Sequence, residues 1–181
     1  MTDLLSRRSE LSAAKLRLLE ERLRGVAKTS SEKDVIRARP RRDRVPLSFA
    51  QQRLWFLDQL EPGNPFYNIP DAVRLTGRLN LDAFESVFNE IVRRHEALRT
   101  RFVTEGGESA QVIDEWKPRT LEIKDLTRLS REERERQAHR MAREEARTGF
   151  DLWRGPLLRV KVLKLEREEH VALFTMHHIV S

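Results

Sequence analysis

The chain has 181 residues, of which 35 are lysine or arginine and 29 are aspartate or glutamate, so its formal charge is +6. Residues 1–44 hold 13 basic and 7 acidic side chains, whereas residues 45–181 hold 22 of each. Because nucleic-acid binding needs a basic face on the folded part, we expect no nucleic-acid partner. The absence of cysteine excludes a disulfide framework and thiolate metal sites.

The length predicts one modest domain. No apolar run approaches the ~20 residues that a membrane span needs, and the first eight residues lack the apolar core of a secretory signal. We therefore expect a cytoplasmic protein without a membrane partner.

The first 45 residues are predicted to form two segments. Leucines recur at helical spacing over residues 11–24, which predicts a helix. Residues 1–25 are interpreted either as a docking element for another protein or as a stub that packs loosely on the domain, and the pattern favours neither. Residues 26–45 are rich in Ser, Lys, Arg and Pro without periodicity, which is typical of a flexible basic linker.

The domain is expected to span residues 46–181 and to open with a helix. Ser48 and Gln51 stand three residues apart before an apolar run, the pattern of a capping box. This helix is predicted to end at residues 62–65. Residues 67–77 are predicted to be extended, with Pro70 placing the first part at a sheet edge or outside the ladder.

A second helix is predicted over residues 81–97, with His95 on its broad apolar face as a core histidine. Residues 99–103 and 110–113 flank two glycines and predict a hairpin. Residues 121–123 are predicted to add a short strand.

The last third predicts one helix and one hairpin. Residues 130–147 are rich in oppositely charged pairs at four-residue spacing, typical of a solvated helix face. Residues 157–165 and 170–179 are predicted to pair across a four-residue polar turn. The second of these strands is apolar on both faces over residues 171–176, as expected for an interior strand.

His177 and His178 close this strand. If the extended conformation persists, their side chains point to opposite faces, so only one of them faces a given cleft. Adjacent strand positions also diverge too far to chelate one metal ion, and the other histidines have no ligand spacing, so no metal site is expected. From chemistry alone, two interpretations stay open: one buried and one exposed histidine without function, or one catalytic base.

Three blocks of sequence resemble, in order, the first three motifs of condensation domains from nonribosomal peptide synthetases. The blocks are Ser48-Phe49-Ala50-Gln51-Gln52-Arg53-Leu54-Trp55-Phe56-Leu57, Arg94-His95-Glu96-Ala97-Leu98-Arg99-Thr100-Arg101-Phe102 and Met176-His177-His178-Ile179-Val180-Ser181. The last is similar to the start of the family's His-His-x-x-x-Asp-Gly signature. The resemblance covers residues 46–181. The residues of its motifs are most similar to those of the subtype that joins an L-configured donor to an L-configured acceptor.

The resemblance implies an α/β chloramphenicol-acetyltransferase-like N-terminal lobe, a mixed sheet flanked by helices, with the signature histidine at a tunnel. It implies that His178 receives the amine proton of the acceptor or positions that amine, and that His177 maintains the active-site geometry. It gives the other motif residues structural roles, with Arg53 and Arg99 as candidate members of buried ion pairs; these residues are Ser48, Arg53, Trp55, Arg94, His95, Glu96 and Arg99.

The family's substrates are thioesters on the 4'-phosphopantetheine arms of donor and acceptor carrier domains, so the resemblance implies no cofactor bound directly. It also implies an adenylation domain and a C-terminal lobe as partners, and residues 1–24 as a possible contact to an upstream synthetase. Asp-Gly and the second lobe would follow Ser181. We therefore expect this chain alone to be inactive and prone to associate. Two alternatives are a free-standing acyltransferase that uses coenzyme A or one carrier, and a non-catalytic docking fragment.

Overall fold

The computed structural model describes residues 44–181, so the helix predicted over residues 11–24 and most of the predicted linker lie outside the described residues. The α-helices of this part are α1 (Phe49–Leu60), α2 (Leu81–Arg94) and α3 (Arg131–Arg147). The strands are β1 (Val45–Pro46), β2 (Asn68–Thr76), β3 (Thr100–Glu105), β4 (Glu108–Ile113), β5 (Glu122–Asp125), β6 (Leu158–Glu166) and β7 (Glu169–His177). Short 3-10 helices occupy Pro65–Tyr67, Glu96–Arg99 and His178–Val180.

The strands form two sheets. The larger is mixed, in the order β2-β7-β6-β5, with β5 parallel to β6 and the other pairs antiparallel. The smaller is antiparallel, in the order β1-β4-β3. Mixed sheets accompanied by helices confirm the predicted α/β class. The edge position of β2 also confirms the expectation from Pro70, because a residue without an N–H is best tolerated at an edge.

Strand β7 lies in the interior of the mixed sheet, as its apolar sequence predicts. Neighbouring side chains along a strand alternate between faces, and here both faces are covered. On one face, α3 packs on a cluster of buried side chains; its members are Leu126, Ala138, Leu163, Leu165, Val171 and Leu173. On the other face, Phe84 of α2 meets Phe174 with ring centroids 6.4 Å apart.

Helix α3 begins at a capping box and carries the predicted surface ion pairs. Ser130 and Glu133 cap its first turn reciprocally. Glu132 pairs with Arg136 at 2.7 Å and Arg140 with Glu144 at 2.9 Å, each at four-residue spacing. Exposed pairs of this kind contribute little to stability, so the helix is held mainly by its apolar face.

The end of α3 is fixed to strand β6 by Arg159. Its guanidinium donates to the backbone oxygens of Thr148 at 2.7 Å and Gly149 at 3.0 Å, and its Nε lies 2.5 Å from Oε1 of the buried Glu145. The same guanidinium lies 3.8 Å from the centroid of the Phe150 ring. This cation therefore satisfies the carbonyls of the helix C-cap residue and of the residue after it, and it also contacts an aromatic ring.

A second buried cluster joins α1, the segment before β6 and the residues that follow β7; its members are Leu47, Trp55, Phe102, Phe150, Leu152, Leu157, Ile179 and Val180. Trp55 donates its indole N–H to Thr104 Oγ1 at 3.2 Å. Gly149 lies so close to Gly63 that a Cβ on Gly149 would stand 1.8 Å from the Gly63 carbonyl oxygen. The cluster therefore packs α1 against the chain segments on either side of the β6–β7 hairpin.

Several sequence-based boundaries were wrong. Helix α2 ends at Arg94, and His95 is its exposed C-cap with φ of −102° and ψ of 101°, so its placement in the helix core is incorrect. The apolar periodicity continues past the point where the backbone leaves the helix, which explains the error. The β6–β7 turn contains only Arg167 and Glu168, because the polar residues on either side still pair across the strands. Val45, predicted as linker, pairs with Gln111.

Candidate active site at the end of strand β7

The paired histidines lie where β7 gives way to a 3-10 helix. The His177 backbone N–H donates to Leu157 O at 3.0 Å, which is the last strand-like bond, and His178–Val180 then turn. The expectation that both histidines continue the strand was wrong. The reason is local, because the Ile179 N–H donates to Nδ1 of His177 at 3.2 Å and caps the turn.

The first motif helps to hold this turn. Gln51 completes the predicted capping box, accepting from the Ser48 N–H at 3.0 Å and donating its own N–H to Ser48 Oγ at 3.2 Å. Its side-chain amide also donates to Ile179 O at 3.3 Å. The start of α1 and the residue after the paired histidines are therefore linked directly, a contact across 128 positions of sequence that no local pattern predicts.

His177 is a buried, neutral ring. Its exposed fraction is 3%, and its centroid lies 6.0 Å from the Phe150 ring and 6.3 Å from the Tyr67 ring. Burial, assisted by the neighbouring charge of His178, lowers the pKa of His177 to about 4. Because Nδ1 accepts a backbone N–H, the single ring proton lies on Nε2. His177 is therefore poorly suited to accept a proton at neutral pH.

His178 has the opposite environment. Its side chain is exposed, and Nδ1 lies 2.6 Å from Ser181 Oγ. The Ser181 hydroxyl donates to the His178 carbonyl oxygen at 2.9 Å. When the single hydroxyl proton is on that carbonyl oxygen, the ring donates from Nδ1 and Nε2 carries the lone pair. This tautomer presents a proton acceptor to solvent.

A pocket of about 220 Å³ lies beside His177 and α1. Tyr67 and Asp58 line it, together with apolar side chains of α1. Asp58 accepts the Gly63 N–H at 3.2 Å, and burial raises the pKa of its carboxyl, with a further contribution from Asp151. Sequence reasoning missed Tyr67, Phe150 and Asp58 as neighbours of the histidine, since only the tertiary fold brings them together.

The remaining motif residues lie on α1, on α2 and in the 3-10 helix that follows α2. Arg53 is exposed, so its prediction as a buried ion-pair member was wrong. Arg94 is also exposed and pairs with Glu90 at 2.6 Å rather than with its motif neighbours. Arg99 is nine-tenths buried and pairs with Glu96 at 3.3 Å, as expected.

Residues 44–181 contain neither a metal-binding cluster nor a membrane-spanning helix. No group of three or more His, Asp or Glu side chains in this part of the chain is arranged to hold a metal ion. Among the same residues, no helix combines the length and apolar character needed to cross a membrane.

Comparison with known proteins decides the family. The model of the condensation domain matches residues 41–181. The chain belongs to the condensation domain family. The resemblance drawn from the three motifs is thereby confirmed, and the condensation-domain match begins three residues before the described part of the chain.

Similar sequences occur in large peptide synthetases. The condensation domain is 45% identical over 162 residues to a component of the linear gramicidin synthase of Brevibacillus parabrevis, which covers 90% of this chain and 3% of that protein. It is 39% identical over 180 residues to phosphinothricin tripeptide synthetase PhsC of Streptomyces viridochromogenes, covering 99% and 17%. The chain therefore spans a small part of the length of these relatives.

Solved structures agree. The starter condensation domain of rhizomide synthetase RzmA superposes with a TM-score of 0.68 at 25% identity, covering 75% of this chain and 32% of that chain. The X-domain from teicoplanin biosynthesis gives a TM-score of 0.69 at 30% identity, covering 80% and 30%. The described fold of this condensation-domain chain thus corresponds to about a third of each solved chain.

Proposed function

We propose that this chain supplies the catalytic histidine, His178, for amide bond formation in a nonribosomal peptide synthetase. The observation that supports this most directly is the exposure of the His178 ring, whose Nδ1 lies 2.6 Å from Ser181 Oγ. His177 is assigned a positioning role, since its Nδ1 holds the turn that presents His178.

The proposed step joins an acceptor amine to a donor thioester. The amine nitrogen attacks the thioester carbonyl carbon, and an amine proton passes to His178 Nε2 as the new C–N bond forms. The C–S bond then breaks, and the proton passes to the departing thiolate, giving an amide and a free thiol. This sequence balances without an oxidant or a reductant.

Condensation domains of this family act with carrier and adenylation domains in multidomain synthetases. We further propose that donor and acceptor arrive on the 4'-phosphopantetheine arms of two carrier domains, that a C-terminal lobe completes the tunnel, and that both amino acids have the L configuration. The arms are substrate carriers and not cofactors of this chain.

The catalytic role can be tested in a complete condensation domain that contains residues 44–181 of this chain in place of the matching segment of a relative. With loaded donor and acceptor carriers, mass spectrometry measures the rate of dipeptidyl thioester formation. We expect His178→Ala to lower this rate by roughly 10²- to 10⁴-fold, the usual contribution of a general base. His95, an exposed histidine of the second motif, provides the matched control. His95→Ala should leave the rate unchanged.

Equal rates for His178→Ala and the unmodified domain would exclude the assigned role.

A second experiment distinguishes a carrier-dependent condensation domain from a free-standing acyltransferase. The donor carrier thioester is replaced by the corresponding coenzyme A thioester. A carrier-dependent domain should lose most of its rate with coenzyme A, whereas a free-standing acyltransferase should not.

We also propose that residues 1–24 contact an upstream synthetase. This proposal rests on the helical spacing of the leucines in that segment. Deleting residues 1–24 should weaken retention of the upstream carrier domain in a pull-down assay. Unchanged retention would contradict it.

A further inference from the structure

The pocket beside His177 is acidic and small. Its volume of about 220 Å³ lies below the roughly 300–1,000 Å³ of pockets for drug-sized ligands, so it suits a group of amino-acid size. Asp58 and Glu61 are its acidic lining residues, and among residues 44–181 no lysine or arginine lines it. Glu61 is exposed, and its Oε2 accepts from Asn64 Nδ2 at 2.5 Å. Two carboxylates without a lining cation disfavour an anionic ligand.

Asp58 presents a carboxylate without a cationic partner in the described part of the chain. Its Oδ1 accepts the Gly63 N–H at 3.2 Å, and its Oδ2 lies 3.5 Å from Gln59 Nε2, beyond the usual hydrogen-bond distance. Burial raises the pKa of this carboxyl; the Gly63 N–H offsets part of the shift, and the charge of Asp151 adds to it. A partly buried carboxylate of this kind gains most from a positively charged donor.

His177 contributes a donor to the same pocket. Its ring is only 3% exposed. Nδ1 accepts the Ile179 N–H, so the ring proton lies on Nε2, which has no hydrogen-bond partner among residues 44–181. Some side-chain atoms in this part of the chain are fully covered and unpartnered, but His177 Nε2 is not one of them. The ring lines the pocket, so this N–H keeps surface that a ligand can reach, and a buried donor normally has an acceptor.

Apolar side chains form the remaining wall. Leu57 and Leu60 come from α1. Phe66 packs edge-on against Tyr67, with ring centroids 5.3 Å apart, and both rings line the pocket. Such a wall suits a small aliphatic side chain, because contact with it removes apolar surface from water.

This lining distinguishes three classes of ligand. An anion is repelled by both carboxylates. A simple alkylammonium ion satisfies Asp58 but leaves the His177 N–H without an acceptor. An aminoacyl group carries its ammonium and its carbonyl oxygen on adjacent carbon atoms, so it supplies a charged donor and an acceptor together.

We propose that this pocket binds an aminoacyl group with a free α-ammonium, which donates to Asp58 while its carbonyl oxygen accepts from Nε2 of His177. The pocket selects an amino acid whose carboxyl group is present as an amide, ester or thioester, since a free carboxylate would face two negative charges. The site does not depend on the role proposed for His178, because binding needs no bond-forming step.

L-Alaninamide is a suitable probe with two matched control ligands. Lactamide replaces its ammonium by a hydroxyl group, and isopropylamine replaces its carboxamide by a methyl group. Each is titrated into the unmodified chain at constant ionic strength and at pH 6.5, where an α-amino group with a pKa of about 7.7–8.0 is protonated. Two-dimensional NMR measures the chemical-shift changes, which should be saturable and concentrated around His177 and Tyr67.

Alaninamide should bind about tenfold or more tightly than either control ligand, because each control loses one of the two hydrogen bonds. Isopropylamine leaves the His177 N–H unpaired, and lactamide lacks the charge that Asp58 attracts. This comparison uses only the unmodified chain, so it does not depend on whether any variant folds.

Asp58→Asn keeps an acceptor for the Gly63 N–H but removes the charge. It should weaken alaninamide binding by about tenfold or more and leave lactamide binding unchanged. Asp71→Asn is the matched control, because Asp71 is an exposed carboxylate that also accepts a backbone N–H, from Ala72 at 2.9 Å, and does not line the pocket. It should leave both affinities unchanged.

Any of four results would overturn the proposal. These are no saturable shifts with alaninamide, equal affinity for alaninamide and either control ligand, equal affinity of Asp58→Asn and the unmodified chain for alaninamide, or shifts concentrated at Trp153. Trp153 lines a neighbouring cavity of about 650 Å³ that Asp58 also borders, so the last result would place the ligand there. Binding is measured without turnover, so its failure is distinguishable from a failure of the role proposed for His178.

Discussion

Burial makes His177 a residue whose protonation opposes folding. An unfolded histidine titrates near pH 6.5, whereas the pKa of buried His177 is lowered to about 4. Between these values the unfolded chain binds more protons than the folded one, so the free energy of unfolding decreases as the pH falls. The contribution is fully present above about pH 6.5, and its complete loss near pH 4 corresponds to on the order of 3 kcal/mol.

We expect this dependence to disappear in His177→Gln, which keeps an acceptor for the Ile179 N–H but does not titrate. Urea unfolding at pH 7, 5.5 and 4 measures the effect as the difference between the two proteins. Carboxylates with lowered pKa values, such as Glu90 and Glu135, also destabilise the fold in acid, but they do so equally in both. Parallel pH profiles would show that His177 does not titrate as its burial implies.

Gly149 is a second position where one residue decides the local geometry. A Cβ there would collide with the backbone of Gly63, and neither backbone can yield as a flexible side chain would. We expect Gly149→Ala to destabilise the protein by about 3 kcal/mol, the range for overpacking that forces backbone shifts. It should also displace the adjacent Phe150 from His177 and so reduce amide formation.

Gly106→Ala is the control for this substitution. A Cβ on Gly106 meets no atom within 4 Å, but its φ of +64° still disfavours alanine. We expect a cost of about 1 kcal/mol and no effect on activity. Equal losses of stability in both variants, measured by urea unfolding, would contradict the steric argument.

At the scale of the elements, the anchoring of α3 on β6 depends on a partly buried ion pair. Glu145 is 8% exposed and contacts Arg159 at 2.5 Å and Lys161 at 3.4 Å. Removing Arg159 leaves the buried Glu145 with the more distant Lys161, whereas removing both charges of such a pair is often nearly neutral. The pair therefore determines where the helix ends and, through the ring of Phe150, where His177 lies.

Arg159→Met should destabilise the protein by roughly 3 kcal/mol, measured by urea unfolding at pH 7. The double variant Arg159→Met and Glu145→Gln should recover a substantial part of this loss. Exposed Arg136→Met, on the outer face of α3, is the matched control and should change stability by at most about 0.5 kcal/mol. A double variant no more stable than the single one would refute the charge-burial explanation.

The sequence predicted elements with strong local signals. The Ser48 and Gln51 capping box, the hairpin around the two glycines and the interior character of β7 all follow from short patterns. Local patterns did not predict the parallel pairing of β5 with β6, because that pairing joins segments separated by a helix. Local patterns also predicted that α2 continues past Arg94, since apolar spacing alone carries no information about where the backbone hydrogen bonds of a helix stop.

The candidate site was predictable only in part. Motif similarity singled out His177 and His178, but the contrast between a buried neutral ring and an exposed one depends on Phe150, Tyr67 and the turn after β7. The alternation of side chains along a strand predicted correctly that the two rings differ in environment. Its premise was that the strand continues through His178, whereas β7 ends at His177. Contacts between residues far apart in the sequence decide the protonation of these two rings. Such contacts cannot be predicted from local sequence patterns alone.

At the scale of the whole molecule, the described fold exposes a stripe of apolar side chains. Val87 and Ile91 follow Phe84 at helical spacing on α2 and are 59% and 44% exposed. On β2, Ile69 and Val73 share the sheet face of Phe174 and are 42% and 38% exposed. Single exposed apolar residues are ordinary, but several of them on neighbouring elements favour association.

We therefore expect the isolated chain to self-associate as its concentration rises, because contact between two such stripes removes apolar surface from water. Sedimentation velocity over a range of concentrations measures this. The double variant Val87→Asn and Ile91→Asn should shift the distribution toward monomer while the unfolding midpoint changes little, since both side chains are already exposed. Ser86→Asn, beside them on α2 but off the stripe, should associate like the unmodified chain. A monomer at every concentration, or undiminished association in the double variant, would show that this surface does not mediate contact between copies.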